Sequence, residues 1–296
     1  MPDTHGGNIF KFSHDHKINL SEVTDFSANI NLLGPSPKGL EALNERLRYI
    51  SHYPDVTNDD VMNTIADVYG IEKDSILLGN GAAELLYAVG RLSGFTGAFV
   101  PAPGFSEYQA SMDAANIPVR EIFYRQRQND DGTPYFEVPY LALQTFAAEL
   151  KGQDGRIIVF LGNPNNPDGT LLDKQSIKVL AQMLKDANSL LVIDESFIDF
   201  IGNESLRDNS HSMRELINQY DNVIIVHSFT KFYAVPGLRI GAVFANPTLI
   251  QELRQYIPAW SVNTLAQAYT ESALTDTKYI NDSKMVLANE AKYMYE

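Results

Sequence analysis

Short apolar runs recur along this chain, and longer stretches with helical spacing separate them. Seven runs are expected as strands: residues 76–78, 98–100, 119–123, 157–161, 190–193, 223–226 and 240–244. Helices are expected at 82–92, 107–115, 173–187 and 212–220. This alternation constrains the chain to an α/β fold with a mainly parallel sheet. Punctuation agrees with it. Ser36 is placed to cap a helix that Pro37 opens, with Leu40, Leu43 and Leu47 at helical spacing. Thr57 or Asn58 caps a helix that Gly70 ends, and Pro258 closes one running over 247–257.

The first 35 residues precede the alternation and are expected outside the main sheet, 36–275 form the large domain, and 276–296 begin a further helix. That helix, over 277–296, meets no capping residue, glycine or proline before the chain stops, which points to a segment beyond it. No repeat or low-complexity linker interrupts the pattern.

Composition narrows the function. With 296 residues and 44% apolar content, the chain can bury a substantial core. A net charge of −14, with no Lys/Arg cluster, argues against a nucleic-acid partner. An anionic small substrate stays compatible, because local cations override the global field. The absence of cysteine excludes disulfides, thiolate metal sites and cysteine nucleophiles, and is compatible with the cytoplasm. The N-terminus lacks the pattern of a signal peptide, and no apolar run reaches membrane-spanning length.

In open α/β sheets ligands bind beyond the carboxyl ends of the strands. Gly79-Asn80-Gly81-Ala82-Ala83-Glu84 follows the first run and opens a helix, so its backbone N–H groups suit a phosphate; an ordinary βα turn fits it equally. Phe105, after the second run, suits stacking on a flat ring or a place in the core. Gly162-Asn163-Pro164-Asn165-Asn166-Pro167-Asp168-Gly169 forces a rigid exit, and Asn166 is placed to donate to a ring oxygen or a carboxylate. Asp194 ends the fifth run. It suits either a helix N-cap or a carboxylate that keeps a pyridine nitrogen protonated. No histidine stands beside it, so no metal site is expected. After the sixth run come Ser228, Lys231 and Arg239, with Phe232, Tyr233, Val235 and Pro236 around the lysine. An amine desolvated between phosphate donors suits a cofactor with both an aldehyde and a phosphate, and pyridoxal 5'-phosphate (PLP) has both on one ring.

These motifs resemble the fold-type I, aspartate-aminotransferase-like PLP enzymes, the class I/II aminotransferase family. Asn166-Pro167-Asp168-Gly169 is similar to that family's Asn-Pro-Thr-Gly turn, with Asp in place of Thr. Within the family the resemblance leans to the threonine-phosphate decarboxylases of cobalamin biosynthesis, then to histidinol-phosphate aminotransferases. It is carried by His5-Gly6-Gly7-Asn8, Asp25-Phe26-Ser27-Ala28-Asn29-Ile30-Asn31, Asp194-Glu195-Ser196-Phe197-Ile198-Asp199-Phe200, Thr230 through Arg239, and Pro258-Ala259-Trp260-Ser261-Val262-Asn263. Phe197 stands where many aminotransferases of the family carry a tyrosine.

The resemblance implies a seven-stranded large domain with an N-terminal segment of an incomplete small domain. It implies that Lys231 forms the internal imine and that Asp194 pairs with the ring nitrogen. Phe105 would stack on the ring, Gly81, Ala82, Ala83, Ser228 and Arg239 would hold the phosphate end, and Asn166 would contact the ring oxygen or the substrate. His5, Gly6 and Asn29 would shape the substrate end. Tyr53 would reach a neighbouring subunit's cofactor, since the family builds its sites across a homodimer. The implied substrate is a phosphorylated amino acid, decarboxylated or transaminated. Family members continue past the point where this chain stops, into a segment that supplies arginines for the substrate.

Overall fold

The computed structural model describes residues 6–130, 132, 134–137, 141–143, 145, 155–202 and 205–295. Its centre is a seven-stranded sheet of β1 (Ile76–Gly79), β2 (Phe95–Ala102), β3 (Val119–Phe123), β6 (Arg156–Gly162), β7 (Leu190–Asp194), β8 (Val223–Ser228) and β9 (Gly241–Ala245), in the spatial order β1-β9-β8-β7-β6-β2-β3. β9 runs antiparallel to both its neighbours, and the other pairings are parallel. All seven expected runs lie in this sheet, with ends displaced by a few residues at most.

Both faces are covered, and the period of two along each strand divides the side chains between them. Ile157, Val159 and Leu161 join one apolar cluster with Ile65 of α3 (Asp59–Tyr69), Leu180 of α6 (Lys174–Asp186) and Tyr269 of α8 (Thr264–Leu274). Ile158 and Phe160 point the other way, to Leu85 of α4 (Ala82–Gly90), Met112 of α5 (Glu107–Ala114) and Leu253 of α7 (Pro247–Arg254). The first strand begins at Ile76, so the N-terminal 35 residues stay outside the sheet; among those described, α1 (Ile9–His16) is followed by a 3-10 turn (Leu20–Glu22).

The helix boundaries follow local chemistry. Ser36 precedes α2 (Pro37–Arg46), and its Oγ accepts from the Gly39 N–H at 3.2 Å. Gly39 is where α2 meets α8 closely, because a Cβ there would sit 2.5 Å from the Tyr269 ring. Asp173 lies just outside α6 as its cap, accepting from the Ser176 N–H at 2.9 Å. Asn58 is the residue before α3, but its side chain makes no capping bond. Asp55 does that work, accepting from the N–H groups of Thr57 and Asp59.

Two local expectations are corrected. Residues 212–220 form a 3-10 stretch, Arg214–Asn218, and no α-helix. Arg214, Leu216 and Ile217 are all buried there, and Glu195 engages Ser212 and the Met213 N–H, so tertiary contacts override helical propensity. A two-stranded hairpin, β4 (Arg125–Gln128) with β5 (Pro134–Glu137), was not expected.

The last helix, α9 (Thr277–Tyr295), packs back on the lysine loop. Tyr279 Oη lies 2.9 Å from the Phe232 carbonyl and 2.8 Å from that of Gly34. Asn31 joins the same knot: its N–H donates to the Lys231 carbonyl at 3.1 Å, and its Nδ2 lies 2.8 Å from the Phe232 carbonyl. Among the described residues no helix is long and apolar enough to cross a membrane.

Candidate active site

The carboxyl ends of β1, β2, β6, β7 and β8 converge on one cleft, open to solvent. Ala82, Ala83, Phe105, Asn166, Asp194, Ser228, Lys231 and Arg239, all expected from the sequence, line it together with Tyr108, Pro164, Ser196, Phe197 and Thr230.

Asp194 closes β7 and is only 6% exposed. Its two oxygens are held separately. Oδ2 accepts from the Tyr108 hydroxyl at 2.9 Å, and Oδ1 accepts from the Ser196 N–H at 2.9 Å. Burial raises the Tyr108 pKa well above its ordinary value, and the charge of Asp194 adds to the rise, so the phenol stays a donor. A carboxylate fixed from both sides presents a stationary negative charge to the cleft.

Lys231 stands three residues past the last residue of β8. Its Nζ donates to Thr230 Oγ1 at 2.9 Å, and Thr230 Oγ1 lies 2.8 Å from Ser228 Oγ. The Val235 N–H donates back to the Thr230 carbonyl at 3.0 Å and closes the loop. Burial lowers the Lys231 pKa; Asp194 pulls it up, and Arg239 adds to the lowering. The amine therefore reaches its neutral, nucleophilic form at lower pH than an exposed lysine.

The opposite wall suits an anion. α4 begins after Gly81, whose φ of +82° favours glycine and which offers no capping side chain to the first N–H groups of the helix. A Cβ on Gly81 would lie 2.3 Å from Arg239 Nη2, and one on Gly241 would lie 2.6 Å from the Ala82 nitrogen. Two glycines thus let the Arg239 guanidinium and the backbone of β9 lie hard against the N-terminus of this helix, beside which an anion is favoured. Arg239 itself takes φ +59°, a costly left-handed conformation for a residue with a Cβ.

This donor set fits PLP. Helix N–H groups, Ser228 and Arg239 suit its phosphate, Lys231 suits its aldehyde, Asp194 suits its ring nitrogen and Phe105 offers an aromatic face. The candidate sites on the N-terminal side do not reach this cleft. Gly6 lines a separate hollow with Phe12, Phe26 and Ser27, and Asn29 is exposed. Tyr53 is 79% exposed and stacks on Trp260 with ring centroids 4.6 Å apart. It borders a different hollow, beside Arg46, His52 and Gln267. His5 lies outside the described residues. Among the described residues no cluster of side chains suits a metal ion.

Sequence reasoning overlooked Tyr108, Ser196 and Thr230. Tyr108 had a readable signal, since it lies three residues beyond Phe105, in the first turn of α5, and the two rings meet edge to face at 5.7 Å. Asn31, which ties the N-terminal segment to the lysine loop, lay within a motif of the resemblance but had no role assigned to it.

Residues 21–296 match the family described as aminotransferase class I and II. The chain belongs to that family. Its enzymes depend on PLP and include both decarboxylases and aminotransferases. The chain is 31% identical over 298 residues to threonine-phosphate decarboxylase of Salmonella typhimurium, covering 99% of this chain and 76% of that protein. It is 36% identical over 284 residues to the adenosylcobalamin biosynthesis bifunctional protein CobDQ of Leptospira interrogans, covering 95% of this chain but only 30% of that longer protein. Among solved structures it resembles histidinol-phosphate aminotransferase from Clostridium acetobutylicum, with a TM-score of 0.77 and 26% identity, over 92% of this chain and 75% of that one. The parallel sheet with helices on both faces is thus the fold of the class I and II aminotransferases.

Proposed function

We propose that this chain is a PLP-dependent decarboxylase of O-phospho-L-threonine, releasing CO2 and an aminopropanol phosphate. The observation that carries the reading is Phe197 on the cleft wall. It puts an apolar ring beside Asp194 and Lys231, where the resemblance gives many aminotransferases a phenol. The likeness to threonine-phosphate decarboxylase of Salmonella typhimurium supports it.

PLP, when bound, supplies an aldehyde that captures an amine and a ring that accepts the electron pair of a bond broken at the substrate carbon. The residues of the chain govern the rest. Ala82, Ala83, Ser228 and Arg239 would hold the phosphate end, and Asp194, fixed by Tyr108 and Ser196, would stabilise positive charge on the ring nitrogen. Phe105 and Pro164 limit water on the cleft walls. Lys231 Nζ would be the group placed to carry the proton that replaces the departing carboxylate. Which bond breaks depends on how the substituents are gripped, so positioning sets specificity.

Gly6, Asn29 and Tyr53 act, in this reading, at a site shared between two copies of the chain. Tyr53 and Phe26 support it, at 79% and 95% exposure; Phe10 and Leu32 are exposed apolar groups of the same N-terminal region.

Amino transfer of the histidinol-phosphate type is the second reading, favoured by the likeness to the Clostridium acetobutylicum enzyme. One assay separates the two. Incubation of the PLP-loaded chain with O-phospho-L-threonine is expected to release CO2 without any 2-oxo acid. Turnover that requires a 2-oxo acid and releases no gas would establish the second reading. Bound PLP with turnover neither of O-phospho-L-threonine nor of histidinol phosphate in the presence of a 2-oxo acid would leave a cofactor-binding protein.

A further inference from the structure

Behind the cleft, on the opposite face of the sheet, lies a sealed polar group that the proposed chemistry does not use. Strand alternation puts it there. Asp194, Ser228 and Thr230 line the cleft, whereas the His227 ring turns away, to Tyr69 and Phe229. The β7–β8 ladder ends where the Glu195 N–H donates to the Val226 carbonyl at 2.8 Å. Past that bond the two chain segments separate, one carrying Ser196 to Phe200 and the other running from His227, at the end of β8, to Phe232.

Asp199 and His227 cross-link the two segments. His227 Nε2 lies 3.1 Å from Asp199 Oδ2, and the residues are 1% and 3% exposed. The Tyr69 hydroxyl donates to the same oxygen at 2.7 Å and anchors the pair to α3. Phe200 and Phe232, one from each segment, meet at 5.2 Å between centroids. A carboxylate this deeply buried is costly to leave unpaired, so the bond resists opening. Burial alone would raise the Asp199 pKa, but His227 and Tyr69 outweigh it and hold the carboxyl below its ordinary value.

We propose that the Asp199–His227 pair is a positioning clamp that fixes the separation of the two segments, and with it the placement of the Asp194 carboxylate and the Lys231 amine around the cofactor. The inference rests on the reading that the cleft holds PLP through Lys231. Both residues act through others and touch no reacting atom.

The test compares His227→Phe, which keeps a ring but loses the donor, with His227→Gln, which keeps an N–H within similar reach. PLP affinity is read by titration of the cofactor-free protein, and the absorbance band of the bound cofactor by its position. Circular dichroism reports the fold. His227→Phe is expected to bind PLP about tenfold more weakly with a displaced band, and His227→Gln to stay within about threefold of the wild type. If His227→Phe does not fold, His227→Asn, whose amide is too short to reach Asp199, takes its place against His227→Gln. Equal affinity and an unmoved band in the donor-less variant overturn the clamp, and so does an equal loss in both variants. A wild-type chain that takes up no PLP overturns the reading of the cleft itself.

Discussion

The chemistry of the cleft rests on a few side chains whose charge is set by their neighbours. Tyr108 is a direct case. Its hydroxyl is one of two groups holding Asp194, and hydrogen bonds to ionised groups are worth about 1.5–3 kcal/mol. Tyr108→Phe is therefore expected to fold normally but to lower PLP affinity by about tenfold or more, measured by titration. Lys231 gives a second test, and the sign follows from burial. Its folded pKa lies below that of an exposed lysine, about 10.4. A charged amine in that pocket therefore destabilises the cofactor-free protein at pH below the folded pKa. The penalty fades as pH rises through the folded pKa towards the unfolded one. Lys231→Met should raise the melting temperature of the cofactor-free protein at pH 7, with a smaller gain at pH 10. A gain independent of pH would contradict the lowered pKa. The place of Lys231, Asp194, Phe105, Asn166 and Ser228 on the cleft was legible because each stands at or within a few residues of a strand's carboxyl end, and that of Arg239 because it closes the lysine motif. Thr230 was not, because its role is a pairing with Lys231 and Ser228, which a linear sequence does not display; Tyr108 was legible only as a neighbour of Phe105, and its bond to Asp194 was not.

At the scale of elements, the sheet was readable because β1, β6, β7, β8 and β9 are short, largely apolar runs buried almost throughout, although the edge strand β3 is mostly exposed. β4 escaped notice because Arg125-Gln126-Arg127-Gln128 is exposed throughout and has no apolar alternation to read. The stretch 212–220 was misread because its periodicity resembles a helix, whereas Glu195 fixes its start from the neighbouring strand exit. The element that matters most for the cofactor is the entry to α4. Gly81→Ala places a methyl group at φ +82° and against Arg239, pushing aside the guanidinium assigned to the phosphate. The variant is expected to lose PLP affinity by at least about tenfold while binding pyridoxal, which lacks the phosphate, as the wild type does. Equal losses for both ligands would place the phosphate elsewhere.

For the whole molecule, the apolar side chains exposed along the N-terminal region are those that the proposed second copy of the chain would cover. Light scattering is expected to give twice the monomer mass, and replacing Phe26 and Leu32 by serine is expected to shift the population towards monomer. A monomeric wild type at micromolar concentration would contradict a shared site. The sequence pointed to Tyr53 through resemblance alone; within one chain it stands away from the cleft beside Trp260, so its expected role needs the second copy. Above these questions stands the assignment of one amine to one aldehyde. Its most direct test is borohydride reduction of the PLP-loaded protein, followed by peptide mass spectrometry. The account predicts loss of the cofactor's visible-edge absorbance and a reduced pyridoxyl label on the peptide containing Lys231. A label on another lysine, or none at all, would contradict it.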